Sequence, residues 1–327
     1  MGDSLMARSL KSRPKKKGLT KADVVRKGKQ LSNWGKWGRN DELGVLNYIK
    51  PQDIVDAAKL IKKGKVFRLG LELDENGPQN GLFGGRWNPL HHMMATGTDA
   101  AAGNQDKTVG LRYADDFINL PTQCASQWDA LSHVFAGDKM WNGYSANLVD
   151  STGAHKNGIE KFAGKMVGRG VLLDVARYKK KDRLADGYGI TINDLNRTAN
   201  SQGVKIKRGD FVIINTGQMA DCLDRVAKIG KEGWGGYGGG DAPGLAFETV
   251  DWIHEKEIAG ICSDTWGCEV RPNESLVAFQ PWHWVVIPMI GITMGEIFYL
   301  KDLADDCLND GIYEFLFCAP PLPITGA

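Results

Sequence analysis

Four short apolar runs in the second half of the chain constrain its fold most. They are Gly170–Arg177, Phe211–Thr216, Ile258–Ser263 and Trp284–Ile292. Each is bounded by turn-forming residues and reads as a buried strand. Between and after them lie segments with helical spacing, Thr191–Gln202, Phe247–Lys256 and Lys301–Leu308. Strands and helices that alternate in this way predict an α/β fold. Upstream, Pro51 suits a first helical turn, and Ile54, Ala57, Ala58 and Ile61 follow at helical spacing. Val66–Leu73 alternates apolar and polar residues and predicts a strand with one apolar face. Residues 74–107, rich in Gly, Asn and Asp, read as a surface excursion, and long irregular segments of this kind usually carry function.

Neither an internal repeat nor a linker is visible after residue 34, so residues 34–327 are expected to form one domain. The hydrophobic content of 42% supports a sizeable core and excludes a disordered chain. The longest apolar run ends at Glu296 and contains Pro288, too short for a membrane span. Six scattered cysteines form no CxxC pair and suit a reducing, cytosolic setting. Charge is uneven. The first 30 residues hold ten Lys or Arg and two Asp, leaving 31 basic and 37 acidic residues in the rest. Residues 1–33 therefore read as a flexible basic tail, a composition that also fits an organellar address. The acidic body offers no basic face for nucleic acid.

Familiar catalytic patterns are missing: there is no GxSxG elbow and no HExxH helix. A formal GxGxxG at Gly233–Gly238 follows a helical segment rather than a strand, so it reads as a flexible loop and not as a dinucleotide site. The segment Gln123-Cys-Ala-Ser-Gln-Trp-Asp-Ala-Leu-Ser-His133 is the densest in polar chemistry. On a strand, Gln123, Gln127 and Asp129 share one face. A carboxylate with amide oxygens can bind a hard or borderline cation, and His133 can serve as general base. A polar strand end with a hydrogen-bonded histidine fits the same residues. His91 and His92 stand in the excursion, where they can bind substrate or simply face water. His283 lies between Trp282 and Trp284 and fits either a site residue or a core histidine. Asp264 and Glu269 follow a strand, where α/β sites gather. Trp128, Trp234, Tyr237, Trp266 and Trp282 can line an aromatic pocket, with Trp128 and Trp266 the strongest candidates to touch substrate.

Several stretches taken together resemble the cyclase family of metal-dependent hydrolases, which includes bacterial kynurenine formamidase and isatin hydrolase. They are Trp37–Asn47, 123–133, Gly170–Asp174, Lys207–Gly217, Pro243–Glu248, Ser263–Val270 and Gly295-Glu296, in the family's order. The family's H-x-G-T-H-x-D-x-P-x-H motif falls on 123–133. Asp129 and His133 stand at its aspartate and last histidine, while Gln123 and Gln127 replace its two leading histidines. This is the pattern of a branch similar to trans-dienelactone hydrolases. The resemblance implies a single α/β domain whose mixed sheets close into a barrel-like core, assembled as a homodimer or homotetramer. It implies a divalent ion, manganese or zinc, held by Gln123, Gln127, Asp129 and Glu248, with His133 as base. Amide oxygens are weaker zinc ligands than imidazoles, which shifts the balance toward manganese or magnesium. The expected activity is metal-assisted opening of a cyclic amide, lactone or related acyl compound. Metal-free hydrolase or lyase chemistry and simple ligand binding are the alternatives that a site stripped of two histidines leaves open.

Overall fold

Three of the four apolar runs are neighbouring strands of one six-stranded sheet in the computed structural model, which describes residues 18–327. The strands of three or more residues among the described residues are, in chain order, β1 (Leu90–Ala95), β2 (Asp115–Asn119), β3 (Gln127–Asp129), β4 (Val167–Asp174), β5 (Phe211–Asn215), β6 (Gly260–Ser263), β7 (Thr293–Glu296) and β8 (Glu314–Cys318). The sheet runs β8-β4-β5-β6-β7-β3. The four central strands are parallel, and the two edge strands are antiparallel to their neighbours. Both faces of the centre are covered, and β5 and β6 are buried along their whole length. The helices of eight or more residues among the described residues are α1 (Lys21–Gln30), α2 (Pro51–Ala58), α3 (Ile192–Ser201), α4 (Gln218–Ile229), α5 (Thr249–Lys256) and α6 (Lys301–Asp310). Local chemistry starts them where expected. Thr191 and Asp194 form a capping box at α3, as Thr20 and Asp23 do at α1.

The expected barrel is not formed: the chain is a mixed α/β single domain with an open sheet. Closure needs its two edges to pair, yet β3 and β8 share no ladder. Instead the Trp128 indole donates to the Ala319 carbonyl at 2.9 Å, and its ring packs on Phe211, Phe298 and Phe317. These rings bridge the two edges where a barrel would have a strand pair.

Three further expectations change. Residues 283–290 are not a strand but a helical turn (His283–Val285) followed by a π-helical turn (Val286–Ile290), with β7 only beginning at Thr293. Val285–Gly291 is buried throughout, so its apolar pattern carries no period, and Pro288 has no N–H to give to a central ladder. Val66–Leu73 is extended, and no strand among the described residues pairs with it. Its links are the Leu69 carbonyl, which accepts from Tyr299 N at 2.8 Å, and Leu71 N, which donates to Ser126 Oγ at 2.9 Å. Within the segment read as a tail, residues 1–17 lie outside the described residues. From residue 21 the chain is helix α1, fixed by buried Val24 and Gly28 and by Lys27 on Asp251 at 2.9 Å.

Asp264, just past β6, anchors the start of α4. It accepts from Thr216 N and Oγ1, both at 2.8 Å, and from Met219 N at 3.3 Å. Burial outweighs these bonds and pushes its carboxyl up to about 6. A raised carboxyl favours folding while protonated, so its contribution is complete below about pH 4 and is lost as pH rises through 6. Denaturant titrations of wild type and Asp264→Asn at pH 5 and pH 8 check this. The wild-type stability relative to the variant should fall by about 1–2 kcal/mol over that range; an unchanged difference contradicts it.

Candidate metal centre

The edge pair β7–β3 brings together residues that are far apart in the chain. Its register sets Glu296 opposite Gln127 and Met294 opposite Asp129. Residues two apart on a strand share a face, so Gln127, Asp129 and Glu296 converge. Gln127 Nε2 donates to Glu296 Oε2 at 2.7 Å. The long connection between β6 and β7 supplies two more groups. Glu269 Oε1 accepts from His283 N at 3.2 Å and sits 2.5 Å from His283 Nδ1. Its Oε2 accepts from Asn273 Nδ2 at 3.1 Å and from Trp282 N at 3.4 Å. This carboxylate therefore fixes both the start of the helical turn and the plane of the imidazole. The other ring nitrogen, Nε2, faces Glu296 Oε1 at 3.4 Å.

One ligand atom each from Asp129, His283 and Glu296 lie within 4.8 Å of one another, and all three residues are buried. Gln127 Oε1 and Asp129 Oδ1 are buried beside them, with no hydrogen-bond partner among the described residues. Burial, then the neighbouring Asp129 charge, pushes the Glu296 carboxyl up to about 7 against the pull of His283. Burial alone would lower His283, but its bonds to Glu269 and Glu296 outweigh this and hold it up at about 10. Crowded acidic groups, two unsatisfied acceptors and an imidazole oriented by a second carboxylate are what a divalent cation needs.

The glycine-rich loop 233–244 and the excursion together build a wall beside this cluster. A side chain at Gly238 would strike the Pro78 carbonyl at 2.8 Å, and one at Gly239 would meet Phe83 Cβ at 3.2 Å. Glycine lets the two segments touch. Trp234 Nε1 donates to the Asn76 carbonyl at 2.7 Å, and Trp266 Nε1 donates to that of Gly240 at 3.0 Å.

The residues singled out from the sequence separate in space. Gln127, Asp129 and His283 meet in the cluster. Gln123 and His133 are not in the cluster; they line a pocket of about 1110 Å³ that Gln127, Trp128, Phe298 and Phe317 also border. His133 is exposed, because the chain turns after Ala130. Glu248 is also exposed, at the start of α5, where it accepts from Ile192 N at 2.9 Å. His91 and His92 lie on the exposed β1–β2 hairpin, His91 paired with Asp116 at 2.6 Å and His92 against Phe117. Trp128 is buried among core rings, and Trp266 is buried near the cluster's wall. Glu296 carried no role in the sequence reading. Its signals are its place in the Gly295-Glu296 stretch of the family resemblance and its position as the first charge after the long apolar run.

A family model described as Putative cyclase matches residues 67–270. A crystal structure described as a novel cyclase is 38% identical, covers 92% of this chain and 95% of its own, and superposes with a TM-score of 0.82. The chain belongs to this cyclase family. Isatin hydrolase A from Labrenzia aggregata, bound to benzyl benzoate, shares the fold at 18% identity and a TM-score of 0.56, over 80% of this chain and 89% of its own. Isatin hydrolase A from Ralstonia solanacearum does so at 16% identity and 0.55, over 80% and 88%. No curated protein matches the chain.

The crowding itself can be tested. Glu296→Gln removes one of two facing carboxylates, so the metal-free variant should melt above metal-free wild type, by about 1–2 °C per kcal/mol of relieved repulsion in a chain of this length. Manganese should raise the melting temperature of wild type and not of the variant. An equal rise in both would remove Glu296 from the ligand set.

Proposed function

We propose that this chain is a metal-dependent hydrolase that opens a cyclic amide, lactone or related acyl compound. The observation that carries the reading is the buried cluster of Asp129, Glu296 and His283 with two acceptor oxygens left unsatisfied. Asp129 Oδ1, Gln127 Oε1, a Glu296 oxygen and His283 Nε2 would hold the ion. The oxygen-rich set suits manganese better than zinc. When bound, a divalent ion supplies Lewis acidity toward a carbonyl and lowers the pKa of water. The protein's own residues do the positioning. Gln127 Nε2 fixes the Glu296 carboxylate, Glu269 fixes the imidazole through Nδ1, and burial restricts bulk water. The fold shared with isatin hydrolases supports ring opening by analogy of fold.

A second reading rests on the His283 Nε2–Glu296 Oε1 contact of 3.4 Å. In it the pair moves a proton as acid and base without a metal.

Elemental mass spectrometry on freshly purified protein separates the two. About one manganese or zinc per chain, lost in Asp129→Ala, is the expected result. No metal even after incubation with manganese and zinc would overturn the first reading in favour of the second. His133→Ala should keep its metal; loss of turnover in that variant would place the proton transfer on the pocket side of β3.

The proposal extends to a homodimer or homotetramer. The β1–β2 hairpin supports it: every strand residue but Ala95 is exposed, including Leu90, Met93, Met94, Phe117 and Ile118. An isolated two-stranded arm of this kind is poorly stable in water. Light scattering should give a mass of at least twice 35.8 kDa; a monomer at micromolar concentration would reject it.

A further inference from the structure

Next to the acidic cluster the chain builds a surface of opposite charge. Residues 269–271 are extended, tied by bridges from Leu245 to Glu269 and from Ala242 to Arg271. Glu269 and Arg271, two apart, therefore leave the backbone on the same face. The Arg271 guanidinium lies 5.2 Å from the Trp266 ring centre and 4.6 Å from that of Phe279. Phe83, from the excursion, stacks on Phe279 at 6.0 Å and stands 5.2 Å from Trp266. Arg86 lies over Phe83 at 4.9 Å. Glu269, two residues before Arg271, holds His283 of the cluster, so this surface and the cluster border one another.

Among the described residues neither Arg86 nor Arg271 has an acidic partner, and Arg271 Nε and Nη1 are buried with no acceptor. A guanidinium carries five donors in a plane. Rings beneath it offset part of its desolvation but accept no hydrogen bond. What the arrangement lacks is a flat acceptor with two oxygens, the shape that a guanidinium fork recognises best.

The geometry points to a subsite for a carboxylate borne on a planar ring, with Arg271 and Arg86 reading the charge and Phe83, Trp266 and Phe279 the ring. Resting on the hydrolase reading above, this makes the substrate of the neighbouring cluster an acid rather than a neutral ring. Arg271 then determines specificity and takes no part in bond cleavage.

Calorimetric titration of the full chain with 2-aminobenzoate and with neutral benzamide tests the assignment. Wild type should bind the anion at least tenfold more tightly. Arg271→Gln should abolish that preference and leave benzamide binding unchanged, whereas a merely structural arginine would lower the melting temperature without altering the preference. Should that variant fail to fold, Arg86→Gln should reduce the same preference. Equal binding of the two probes to wild type overturns the proposal. Repeating the titration on Asp129→Asn separates it from the metal reading. A preference that survives there belongs to the arginines. A preference that disappears with the metal assigns the anion to the ion, which rejects the subsite and leaves the hydrolase reading standing.

Discussion

The contact between Asp129 and Glu296 across β3 and β7 is the constraint around which this end of the molecule is arranged. Two carboxylates on neighbouring strands, both buried, repel one another unless a cation or a proton separates them. The surrounding residues are organised to hold them there all the same. Gln127 donates to Glu296, and Glu269 orients His283 toward it. Asn273 and the Trp282 backbone hold Glu269 in turn. Much of the loop between β6 and β7 serves this scaffold. A protein that needed only a stable sheet edge could fill the same volume with apolar side chains at lower cost.

The sheet explains why the cluster lies where it does. Parallel strands place their carboxyl ends together, and the loops that leave those ends are where α/β proteins gather ligands. Glu296 ends β7, and Glu269 belongs to the loop that leaves β6. The edge strand β3 runs the other way, so it meets the same end with its first residue, Gln127, and Asp129 follows two residues on, on the same face. The absence of barrel closure leaves Trp128 as a plug between the two edges.

Much of this was legible in the sequence, and the part that was not has a definite cause. The period-two argument put Gln127 and Asp129 on one face, and short apolar runs located β4, β5 and β6. The family motif drew attention to 123–133 as a unit, yet the strand ends at Asp129 and the chain turns, which carries His133 to another surface. His283 could not be decided, because a histidine between two tryptophans looks the same in a core as in a site. The run after it reads as a strand because complete burial erases periodicity. Glu248 matches the motif in sequence, but its carboxylate is engaged with the N–H of Ile192. Arg271 and Phe83 carry no sequence pattern; only the approach of the glycine-rich loop to the excursion brings them together.

The cluster draws on residues 127–129 and on residues 269–296, so its two halves are separated by roughly 140 residues of chain. During synthesis the first half emerges long before the second, and β7 cannot join β3 until nearly the whole sheet exists. A cation therefore cannot template the early folding of this chain; it can only select the finished structure. Contacts of such long range form slowly and late. While they are pending, an edge strand carrying a buried carboxylate has no partner, and the same charge that later binds the ion discourages that edge from pairing with another molecule.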